Sequence, residues 1–136
     1  MEFTINYWAV LAAGVVYMVV GFLWYGPVFG KTWKDLMGFT DESMKSMKLG
    51  QMQAMFLGFV MALIMAYVLA MYVDASGILD VAGAFGLVFW IWFGFIFTVL
   101  AGSFLWEGKP FKLFILNAAE QLVALFLMAV VLVMWP

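Results

Sequence analysis

The sequence predicts an all-α fold: an integral membrane four-helix bundle, built as two tandem parallel helical hairpins with an amphipathic cytoplasmic helix in the first loop. Three observations lead there. Hydrophobic residues make up 68% of the 136-residue chain and charged residues only 10%. A soluble domain carries roughly 25% charged residues, and a chain this short leaves too much of its surface exposed to hide so many apolar groups from water. Four apolar stretches are each long enough to cross a bilayer, and all six basic residues, every one a lysine, fall in the first and third connections between them.

A hydrocarbon core of about 30 Å takes about 20 helical residues. Tyr7–Tyr25, Met52–Tyr72, Val81–Leu105 and Leu113–Trp135 meet that length, within a single transmembrane domain covering 1–136. The start, Met1-Glu2-Phe3-Thr4, has no basic segment, and the first stretch is longer than a signal-peptide core, so a retained helix is expected there. Aromatic rings sit near the ends, where the headgroup layer favours them: Tyr7, Trp8, Trp24, Tyr25, Tyr72, Trp106 and Trp135. Turns are expected at Gly26-Pro27, at Asp74-Ala75-Ser76-Gly77 and at Gly108-Lys109-Pro110.

Four spans put the first and third loops on one side of the membrane. Lys31, Lys34, Lys45, Lys48, Lys109 and Lys112 all lie there, whereas Glu2, Asp74 and Asp80 lie on the other. The positive-inside bias makes the lysine side cytoplasmic, with both termini outside. The first loop, about 26–50, has a pattern of its own. Phe29, Trp33, Leu36 and Met37 recur at helical spacing opposite Lys31, Lys34 and Asp35, and Gly38 suits the left-handed residue that ends a helix. Such a helix floats its aromatics in the headgroup layer, or acts as a gate or docking element. Thr40 is expected to cap a further turn, with Asp41 and Glu42 where the helix dipole favours acids.

The two halves of the chain repeat each other. Phe22-Leu23-Trp24-Tyr25-Gly26 answers Phe104-Leu105-Trp106-Glu107-Gly108, and Met65–Tyr72 answers Met128–Trp135. The first offset is 82 residues and the second 63, a difference taken up by the longer first loop. Such a repeat places the hairpins about a pseudo-twofold axis along the membrane normal.

Helices in lipid approach each other through small residues. Gly50, Ala54, Gly58, Ala62, Ala66 and Ala70 recur every four residues and form a smooth packing ridge on the second span. Gly86, Gly94 and Gly102 line one face of the third, with Trp90 and Thr98 between them. Internal packing is the first use expected of both rows and contact with a second copy the next.

The fourth span carries the polar cluster Asn117, Glu120 and Gln121. Glu120 lies eight residues past Lys112, ~12 Å along a helix, so a carboxyl sits deep in the membrane, where polar residues are costly and point to function. Tyr17 and Thr98 reach similar depth and are candidates to hydrogen-bond it. One reading is a proton or cation relay through Glu120. Another is a carboxylic acid that ties helices together, and a third is a small-ligand pocket.

The chain has no cysteine and no histidine, which excludes disulfides, thiol chemistry and the usual zinc and haem ligand sets. No cofactor or metal is called for. The twelve methionines, Met61 with Met65 and Met44 with Met47 among them, form no collection site for copper on the outer side and serve as flexible apolar fillers. Nucleic-acid binding lacks its basic patch. An enzyme lacks a nucleophile–base pair.

With Ile5-Asn6-Tyr7-Trp8-Ala9-Val10-Leu11, Trp24-Tyr25-Gly26-Pro27, Phe29-Gly30-Lys31, Gly94-Phe95, Phe104 through Pro110 and Leu116-Asn117-Ala118 in view, the chain resembles the bacterial membrane-protein family known as domain of unknown function 1761. The likeness implies a small multi-helix membrane protein and brings no activity with it. It also implies an aromatic at the position of Glu120, which would confine any relay there to chains such as this one. The function expected is non-enzymatic: a structural or accessory membrane protein acting through helix contacts with lipid, with further copies of itself or with another membrane protein. The alternative is a small proton or cation transporter or channel that uses Glu120.

Overall fold

A computed structural model describes residues 3–40, 42–43 and 50–136. Among these residues there is no strand, and four helical segments are long and apolar enough to cross a membrane: Tyr7–Val28, Gln51–Ser76, Val81–Leu105 and Phe111–Met134. The chain is a multi-pass integral membrane protein. Its helices are α1 (Tyr7–Leu23), α2 (Gly30–Met37), α3 (Gln51–Ser76), α4 (Val81–Ile91), α5 (Thr98–Leu105) and α6 (Phe111–Met134). A π-helical turn, Trp24–Val28, joins α1 to α2, and another, Trp92–Phe97, joins α4 to α5 inside the third span.

The spans begin and end where local chemistry allows. Asn6 caps α1 by accepting from the N–H groups of Trp8 and Ala9, and Asp80 caps α4 by accepting from Gly83. Gly38, Gly77 and Gly108 hold left-handed φ angles of 70°, 66° and 69°, which end α2 and α3 and turn the chain before α6. Thr40 caps as expected, its hydroxyl accepting from the N–H of Ser43. Asp41, Met44, Lys45, Met47 and Lys48 lie outside the described residues.

Two boundaries differ from expectation by more than two residues. The second span continues to Ser76, past Tyr72. More consequentially, Gly26-Pro27 does not break the first span. Proline removes one N–H and its ring crowds the carbonyl four residues earlier. The backbone answers by widening to a π turn, in which the N–H of Phe29 reaches the carbonyl of Trp24 at 2.8 Å. Gly30 completes the bend: a Cβ there would stand 2.9 Å from the carbonyl oxygen of Tyr25. Helix α2 thus follows directly from the first span and packs back against α6.

Helix α6 is the hub, touching α1, α3, α4, α5 and α2. Within the most apolar window of each span, 44% of the fourth is buried, against 11% of the third. Helix α1 lies between α3 and α6, and the third span packs chiefly against α6 among the described residues. A pseudo-twofold pair of hairpins would match the contact of α1 with α6 by one between the third span and α3. Among the described residues no comparable contact exists, so the sequence likeness of the halves is not expressed as symmetric packing.

The small-residue ridge of α3 divides in two. Ala62, Ala66 and Ala70 are buried, whereas Gly50 and Ala54 are exposed. Close approach of α1 to α3 is enforced at Gly14, where a Cβ would stand 2.8 Å from Leu63 Cδ2. Away from the lysines, Ala9, Ala13, Ala66, Leu69, Val88, Met128 and Ala129 form a wholly apolar core. At that end Asn6 has a second role: its amide nitrogen donates to the carbonyls of Trp135 and Pro136 at 3.2 and 3.3 Å.

Asn6→Ala is expected to destabilise the protein by about 1–2 kcal/mol through loss of the cap, with a further loss from the tie to the fourth span. Asn6→Ser keeps a capping oxygen and loses only the tie, so its unfolding midpoint in mixed detergent should fall between those of wild type and Asn6→Ala.

Candidate functional site

Every polar group carried into hydrocarbon must find its partner inside the protein. On α6, Asn117, Glu120, Gln121 and Ala124 recur at helical spacing and share the face that meets α1. On the first span Tyr17, Gly21 and Tyr25 recur every four residues and supply the opposite wall. The hydroxyl of Tyr25 donates to Asn117 Oδ1 at 2.6 Å. The amide of Gln121 has two protons, and its nitrogen donates both to the Tyr17 hydroxyl oxygen and to Glu120 Oε2, each at 2.9 Å.

Glu120 is 2% exposed, the one charged residue type buried among the described residues. Its hydrogen bond from Gln121 occupies Oε2. The other oxygen, Oε1, points toward Gly21, where an added Cβ would stand 3.9 Å away. The absent side chain of Gly21 therefore leaves space beside the carboxyl.

The structure brings four of the five expected residues together, Tyr17, Asn117, Glu120 and Gln121, and leaves out the fifth. Thr98 is exposed, and its hydroxyl donates to the carbonyl of Gly94 in its own span at 2.8 Å. Thr98 lies nearer the lysine-bearing end than Glu120, since Trp92 is level with Ala118 and Phe97 with Phe114, and the third span turns its face outward. Tyr17 does lie in the cluster, bonded to Gln121 rather than to Glu120. Tyr25 is expected from the sequence only as an aromatic at a membrane boundary. Its spacing of eight residues from Tyr17, with Gly21 between, is the signal that places it on the same face. Trp92, also unforeseen, donates its indole N–H to the carbonyl of Ala118 at 2.7 Å and so fastens the third span to α6 at the level of the cluster.

A groove of about 400 Å³ opens beside this seam, between the lysine-side halves of the first and second spans. Tyr17, Gly21, Phe22 and Tyr25 line one side, with Gln51 and Ala54 on the other. It exists because the α3 ridge packs on α1 only through its far half, leaving Ala54 uncovered.

The family model described as "Protein of unknown function (DUF1761)" matches residues 8–133. The chain belongs to this family. No curated protein and no solved structure matches it.

Tyr17→Phe removes an acceptor that Gln121 can partly replace with Glu120, and should cost about 0.6 kcal/mol, the average for such bonds between membrane helices. Gln121→Leu strips the buried carboxyl of its donor and should cost more, about 1–3 kcal/mol. Equilibrium unfolding in detergent mixtures measures both, and an equal cost for the two would contradict the assigned network.

Proposed function

We propose that this member of the family is a non-enzymatic membrane protein of the bacterial plasma membrane that acts through helix contacts, in an oligomer or as an accessory subunit of a larger complex. The observation that carries this reading is the bare face of the third span. At Gly86 and Gly94 an added Cβ would meet nothing within 4 Å, and Trp90 on the same face is 71% exposed. Small residues that let backbones approach are what membrane helices use to associate. Here the rest of the chain leaves them uncovered, while the glycines and alanines at the centre of the fold are filled by neighbours. The absence of histidine, cysteine and arginine from the sequence supports a non-enzymatic role.

The polar seam fits this role as adhesive. It binds α6 to α1 and, through Trp92, to the third span. A relay across the membrane would need polar groups continuing beyond Tyr17 and Gln121. The buried cluster on that side is apolar among the described residues, which favours adhesion over transport. The six lysines support an orientation with their end in the cytoplasm.

Because the sequence has no cysteine, single cysteines report cleanly. Gly94→Cys should cross-link in native membranes well above the level of Val19→Cys, a control on the lipid-exposed first span; equal levels would count against the contact face. Lys109→Cys should resist an impermeant maleimide in intact cells and react after lysis. Proton flux into vesicles should stay at the empty-vesicle level for wild type and Glu120→Gln alike, and a flux abolished by that substitution would replace adhesion with transport.

A further inference from the structure

The groove beside the seam has features that plain lipid packing does not require. Three residues of the first span, Tyr17, Gly21 and Tyr25, line it and stand between it and the Glu120 carboxyl, which lies just behind the wall. Tyr17 bonds Gln121, the donor to that carboxyl, Tyr25 bonds Asn117 one turn away, and Gly21 leaves open the space before Oε1. That carboxyl is almost fully buried, and its single hydrogen bond leaves one oxygen directed toward the groove wall. No lysine of the fourth span lies deeper than Lys112, so the chain supplies no counter-charge at that level. A volume of about 400 Å³ is in the range of small-molecule sites.

We propose that this groove binds a lipophilic organic cation, which enters sideways from the lysine-side leaflet and rests its charge against Glu120. The chemistry of the wall selects that class. An acyl chain would be content with the apolar lining and would gain nothing from a carboxyl. An anion would be repelled. A cation with apolar substituents uses each part: Glu120 provides the opposite charge in a medium that screens it weakly, the rings of Phe22, Tyr17 and Tyr25 offer π faces, and Gly21 lets the ligand approach. Binding of this kind is independent of whether the third span recruits another copy.

The test is saturable binding of radiolabelled tetraphenylphosphonium to the full chain in phosphatidylcholine nanodiscs. Wild type should bind, and Glu120→Gln should bind about tenfold more weakly or worse, as the loss of a charge-assisted contact implies. Glu107→Gln, which removes an exposed acid at the lysine-side turn, should bind like wild type. Gly21→Ala keeps every polar group and places a methyl at an ordinary contact distance from Oε1. It should fold, and it should weaken binding several-fold by filling the approach; it decides the matter if Glu120→Gln proves unstable. No saturable binding to wild type, or binding unchanged in both Glu120→Gln and Gly21→Ala, would overturn the proposal.

Discussion

The arrangement of the four spans depends on a single requirement, that the polar side chains of α6 be satisfied where water cannot reach them. Asn117 and Gln121 find their partners on one face of the first span, in Tyr25 and Tyr17. Once α6 and α1 are joined, the remaining two spans can attach only to the flanks: α3 to α1, where Gly14 admits Leu63, and the third span to α6, where Trp92 finds the carbonyl of Ala118. Two hairpins of similar sequence thus end in unlike environments. Offsetting each polar residue of α6 by 63 positions gives Ala54, Leu57 and Gly58, so α3 has nothing with which to copy the hub. Chemistry at three positions outweighs the symmetry suggested by many.

The interior of the bundle changes along its length. Far from the lysines, the interior consists of alanines and branched or flexible apolar chains, and the helices close tightly. Toward the lysines, contacts are made by hydrogen bonds and rings, as between Phe97 and Phe114 and between Phe104 and Phe111. The row of small residues on α3 runs from buried to bare along its length, and the groove opens where the row becomes bare.

Much of this was legible in the sequence. Span number and position follow from apolar length, and the caps at Gly38 and Thr40 follow from residue type. The cluster of Asn117, Glu120 and Gln121 is visible because such residues are costly in lipid. Azimuth was harder. Counting inward from the helix ends makes Tyr17 and Thr98 look equivalent, but both the register of a span against its neighbour and the direction it faces are set by partners the count does not include. Phe97 packs on Phe114, about two turns below Glu120. The third span rotates Thr98 outward because Trp92 and the phenylalanines near it hold the opposite side on α6. The π turn at Pro27 was hidden for a different reason. Gly-Pro usually marks a turn, and only the wider hydrogen-bond ring, with Gly30 placed to permit it, lets the helix pass through.

Tyr25 stands at the junction of two environments. Its hydroxyl is held by Asn117 inside the membrane, while its ring packs on Trp33 of α2, with centroids 5.5 Å apart. Trp33 in turn packs on Phe39, at 5.4 Å. The amphipathic segment is therefore mechanically coupled to the interior, since a tilt of α2 displaces the ring whose oxygen holds the fourth span. The short helix and the half-buried carboxamide of Asn117 are thus joined through one phenol, and neither can shift without the other.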